Sequence, residues 1–88
     1  MRVIIRGKSY HLQFVPKIEQ DARGMCDAPS AVGKRIRVLE RLRGEDRLAV
    51  LIHELLHACY WDMDEEAIHH PAEDIARVLW RLGYRAEK

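Results

Sequence analysis

The chain has no apolar run longer than a few residues, which excludes a helical membrane span. Its first residues, Met1 to Arg6, meet a charge at the sixth position and contain no apolar run of signal-peptide length, so export by that route is not expected. Cysteine is scarce: Cys26 and Cys59 stand far apart and form no CxxC pair. They read as reduced thiols of a cytoplasmic protein, with a single disulfide as the alternative. Five glycines and three prolines are too few for a low-complexity chain, and no linker or internal repeat is visible.

What remains is an ordinary globular mixture, 48% hydrophobic and 33% charged. At 88 residues there is room for one domain with one core, so 1–88 is expected to form a single unit. The net charge of +1 conceals an asymmetry: residues 1–44 carry ten Lys/Arg against four Asp/Glu, and residues 45–88 carry five against ten. A basic half can attract nucleic acid. The charges are dispersed rather than clustered, so solvated strands and mutual attraction of the halves are the favoured account.

The pattern along the chain is strands first and helices second, an α+β domain with a small antiparallel or mixed sheet of three to four strands followed by two helices. Val3–Ile5 and Tyr10–Val15 are rich in β-branched and aromatic residues and flank a turn at 6–9, so they predict a hairpin that Pro16 ends. Residues 17–33 are mostly loop, with Gly24–Asp27 able to add a short edge strand. Arg35–Leu39 alternates with period two and reads as a half-buried strand. A helix is expected from Gly44-Glu45-Asp46 to about Tyr60. A second is expected from Asp62 or Asp64 to about Leu82, kinked at Pro71 and ended by Gly83.

His53-Glu54-Leu55-Leu56-His57 carries the chemistry. Residues four apart share a helical face, so both imidazoles reach one metal ion, while Glu54 sits about 100° further round, where a base can take a proton from metal-activated water. The apolar residues Leu48, Leu51, Ile52, Leu55, Leu56 and Ala58 fall on the other side and anchor the helix. Catalytic zinc takes three protein ligands and a water, so a third ligand is required.

Residues 62–74 hold six acids and no Lys or Arg. On the second helix Glu65 continues the stripe formed by Ile68, Ala72, Ile75, Ala76 and Leu79, whereas Glu66 turns about 100° away. Glu65 is therefore the expected third ligand, with Glu66, His69 and Asp64 as alternatives and His69 also a supporting partner. Asp62 and Glu65 also have capping-box spacing, which would engage Glu65 with backbone instead. Donors for a developing oxyanion are available in Tyr60, His69, His70 and Tyr84, and Tyr60 and Trp61 also read as packing residues of the turn.

The stretch Lys34–Val38, the HExxH helix Leu51–Ala58, Asp64-Glu65-Glu66 and the carboxy-terminal stretch Asp74–Tyr84 together resemble small zincin-like metallopeptidase domains of bacteriophages and prophages, minimal gluzincins. The resemblance runs from about residue 24 onward. It implies one zinc per chain on His53, His57 and Glu65, Glu54 as general base, and a peptide or protein substrate held in extended form at a sheet edge. The chain departs from the family pattern at Pro71, inside a helix expected to be continuous, and at His69, where larger gluzincins place a carboxylate. Three other readings compete: a zinc-stapled domain without peptidase activity, a phage accessory protein contacting nucleic acid or a host protein, and a structural domain in which HExxH is accidental. The oligomeric state is not encoded in any visible pattern.

Overall fold

Alternating apolar residues at the amino terminus give a hairpin. In the computed structural model, which describes residues 1–85, β1 (Arg2–Ile5) pairs antiparallel with β2 (Lys8–Val15), Ile5 lying opposite Lys8. The turn is therefore two residues rather than four. Arg6 and Gly7 both take left-handed backbone angles, φ 51° and 78°, the type I′ geometry whose twist matches that of paired strands. Lys8 and Ser9 join the ladder instead of the loop.

Two further strands, β3 (Gly24–Cys26) and β4 (Arg35–Leu39), complete a four-stranded mixed sheet of order β1-β2-β4-β3. β4 runs parallel to β2 and antiparallel to β3. This central position corrects the expectation of a half-buried β4: Ile36, Arg37, Val38 and Leu39 are all buried. Ile36 packs with Tyr10, Ala58 and Leu55 beneath the first helix. Arg37, on the opposite face, is enclosed by Glu19 at 2.8 Å and by the Met25 sulfur at 3.1 Å.

The helices follow as expected, α1 over Gly44–Cys59 and α2 over Glu65–Arg81, making the chain an α+β fold. Asp64 caps α2, its side chain accepting the Ala67 N–H at 2.9 Å. The Asp62–Glu65 capping box does not form, which leaves the Glu65 carboxylate free. α2 runs through Pro71 as one helix, in line with the single helix expected over this span. Ile68 and Ala72, buried on either side of it, hold the helix by packing and offset the one hydrogen bond proline removes. Gly83, at φ 93°, ends α2 in a Schellman motif, with Gly83 N–H to the Trp80 carbonyl and Tyr84 N–H to that of Leu79. No helix among the described residues is long and apolar enough to cross a membrane.

Candidate metal centre

The apolar side of α1 is held on the sheet through Leu51, Leu55 and Ala58, and this fixes which way the opposite side looks. His53 and His57, one turn apart, face the start of α2. Their Nε2 atoms are 3.1 Å from each other. Glu65 reaches back from the first turn of α2 and places Oε2 2.7 Å from His53 Nε2 and Oε1 3.0 Å from His57 Nε2. The imidazoles are largely buried, whereas the Glu65 side chain is 72% exposed.

Three lone-pair donors thus converge on one point. Donors bound to tetrahedral zinc at about 2.0–2.1 Å lie roughly 3.3–3.4 Å apart; here the two imidazole nitrogens are 3.1 Å apart and each faces a different Glu65 oxygen, at 2.7 and 3.0 Å. An ionised carboxylate has no proton to offer, and two facing imidazole nitrogens share at most a few. A divalent cation satisfies all three. Burial holds the His53 pKa below its ordinary value, against the opposing pull of the Glu65 charge, so its lone pair is available near neutral pH. The donor set of two imidazoles and one carboxylate suits zinc.

Glu54 lies beside this triangle rather than in it. It is only 7% exposed, and its carboxyl is pushed up to about 7, first by burial and then by the charge of Glu65. No hydrogen bond to a described residue stabilises its anion. Its burial depends on a residue that sequence reasoning passed over. A Cβ at Gly24 would sit 2.8 Å from Glu54 Oε2 and 2.8 Å from Val50 Cγ1, so only glycine lets β3 come this close to α1. The available signal was a glycine inside a candidate strand, which marks close approach of another group.

The remaining expected residues divide clearly. Asp64 is engaged as the α2 cap, and Glu66 is exposed. His69 lies next to the triangle, its ring 5.9 Å from that of His53, with Nε2 3.7 Å from Glu73. His70 stacks edge-on against His69 at 5.3 Å. Tyr60 is the exposed C-cap residue of α1. Tyr84 belongs to a different groove, shared with Phe14, Arg47 and Trp80 on the other flank of α1. Of the four possible oxyanion donors, His69 is the one that lines the site. Trp61, expected to pack in the turn, lines it as well and is 42% exposed.

The centre opens in two directions along β3. One groove of about 420 Å³ extends toward Asp21, Arg23, Asp46 and Glu73, and another of about 270 Å³ toward Cys26 and Trp61. Gly24, His53, Glu54 and Glu65 line both. Cys26 and Cys59 are free thiols, and burial pushes the Cys26 thiol up to about 12.

Protein-family models, curated proteins and solved structures give no match to the chain. Its chemistry therefore rests on the geometry of the side chains themselves.

Proposed function

We propose that the protein is a zinc-dependent peptidase, with one zinc per chain held by His53, His57 and Glu65 and with Glu54 as its general base. The observation that carries this reading is the convergence of His53, His57 and Glu65 beside a buried carboxyl that has no hydrogen-bond partner among the described residues. When bound, the zinc supplies a Lewis acid that acidifies water and polarises a carbonyl. Glu54 accepts the proton of the attacking water and passes it to the departing amine. In the metal-free protein burial pushes the Glu54 carboxyl up to about 7, and a dication bound beside it would favour the carboxylate, the form a base requires. His69, beside the triangle, is the side chain available to face a developing negative charge.

The substrate in this reading is a peptide or protein segment that adds as a strand to β3, the sheet's outer strand next to Glu54. The assignment coincides with what the resemblance to small zincin-like domains implies. Two free thiols fit a reducing compartment, and a cytoplasmic location belongs to the same reading.

The test is elemental analysis of untagged protein, followed by digestion of a peptide library with wild type and Glu54→Gln. About one zinc in both proteins is expected, with turnover in the variant down by about 10²- to 10⁴-fold. Failure to retain zinc, with no thermal stabilisation when zinc is supplied, sinks the metal site. Equal turnover by the variant removes Glu54 from its role.

A further inference from the structure

We infer that a second groove, on the flank of α1 away from the metal centre, binds single-stranded nucleic acid. It shares no lining residue with the metal centre, so the inference stands apart from the peptidase reading.

The groove encloses about 580 Å³, more than either opening of the metal centre. Three parts of the chain meet there: Phe14 from β2, Arg43 and Arg47 around the start of α1, and Trp80, Tyr84 and Arg85 at the end of α2 and just beyond it. Arg47 and Arg85 belong to the acidic half of the sequence, so the charge asymmetry of the halves gives no sign of this cluster.

The arginines are held by rings and backbone rather than by acids. The Arg47 guanidinium lies over the Phe14 ring, 4.1 Å from its centroid, and that of Arg85 lies over the Trp80 ring at 3.9 Å. Arg43 Nη1 donates to the carbonyls of Glu40 and Leu42, and Arg85 Nη2 donates to that of Trp80. Among the described residues no carboxylate forms an ion pair with any of the three. Within the groove they face a single acid, Glu40. A guanidinium carries more N–H donors than these contacts engage. The others stand ready for an incoming anion, with little freedom left to lose.

Cations alone suit any anion, and the rings narrow the class. Phe14 is 37% exposed and Tyr84 65%, so both keep aromatic surface open to the groove. A groove that interleaves guanidiniums with rings matches a ligand that interleaves negative charges with flat aromatic faces. A nucleic-acid single strand is that ligand: its phosphates meet the arginines, and its bases stack on rings or guanidinium planes. A duplex keeps those faces inside its own stack, and an acidic peptide supplies the charge without the planes.

The experiment is fluorescence anisotropy of a labelled oligothymidylate of about twelve nucleotides, titrated with the wild-type chain. Its duplex with oligoadenylate and an oligoglutamate peptide of equal charge serve as competitors. The single strand is expected to bind about tenfold tighter than either competitor, within the range that base stacking supplies. Raising salt from about 50 to about 200 mM is expected to weaken it about 15- to 20-fold, the loss that three phosphate contacts produce. Arg47→Gln is expected to lower the slope of log affinity against log salt by about 0.7. Tyr84→Ala is expected to weaken binding about fivefold or more with that slope unchanged, which separates stacking from charge. Both side chains lie outside the buried core, and thermal unfolding checks that each variant is folded. No binding of the single strand by the wild type at low salt overturns the inference. So does equal or tighter binding of the duplex or the peptide, or a folded variant of either kind that binds as the wild type does. Each of these results leaves the metal centre and the peptidase reading untouched.

Discussion

α1 has two flanks with opposite physical characters. Toward the sheet it presents Leu51, Leu55 and Ala58, which close over Ile36, Val38 and Tyr10, side chains that are almost wholly buried. Each such aliphatic group removed from water contributes about 1.5–3 kcal/mol. Toward β3 and α2 the same helix presents His53, Glu54 and His57, where burial raises one carboxyl pKa and lowers one imidazole pKa, and Glu54 has no hydrogen-bond partner among the described residues. One flank supplies stability, and the other consumes some of it to keep reactive groups in place. That division is common where a site requires groups that folding alone would disfavour.

The contrast is broken most severely from the stable side. Ile36→Ala empties a fully buried position in the middle of the sheet and should cost about 2–5 kcal/mol in urea unfolding, with zinc stoichiometry unchanged in the folded protein. A loss well under 1 kcal/mol would mean that the core collapses around the gap.

The reactive side responds to pH in the metal-free protein. Below about 4.5, the ordinary value, Glu54 is protonated in both folded and unfolded chains; between there and about 7 only the unfolded chain releases its proton. Glu54 therefore favours folding at low pH, and this contribution of on the order of 3 kcal/mol is lost as pH rises through about 7. His53, with its pKa held down, acts in the opposite sense and costs stability as pH falls below its ordinary 6.5. The difference between wild type and Glu54→Gln isolates the carboxyl: the variant is expected to be the more stable at pH 7, with the gap closing toward pH 4.5. A gap independent of pH would contradict the burial of the charge.

Gly24→Ala tests the boundary between β3 and α1. Its methyl would overlap the Glu54 side chain, and the expected cost is about 1–3 kcal/mol, with kcat reduced more than KM and zinc retained. Asp64→Ala is expected to have the smallest effect, about 1 kcal/mol of thermal stability from the lost cap, together with weaker zinc retention as the first turn carrying Glu65 loosens.

Much of the site was readable before any coordinates. The His53–His57 spacing, the carboxyl between them and the helical phase of Glu65 are local properties of one or two helices, and local periodicity survives folding. What escaped depends on contacts distant in sequence. Nothing in Arg35–Leu39 says that β2 will run parallel to it and that β3 will cover its other edge, so its burial on both faces was hidden. An arginine in a core position reads as solvent-facing until Glu19 and Met25 are found against it. Gly24 was legible as the start of a short edge strand, but not its close approach to Glu54, thirty positions away.

The three ligand atoms all come from the segment between His53 and Glu65, a helix, a short turn and the first residue of the next helix, whereas Glu54 is enclosed by a strand from the other half of the chain. Closing so short a loop costs little chain entropy, and pairing β3 beside α1 must wait for contacts of much longer range. Under the proposed function, capture of an ion and enclosure of Glu54 would therefore be separate events in the life of the chain. On the same reading, a newly made molecule would be able to hold its metal in the helical hairpin first and would become reactive only when the sheet closes over Glu54.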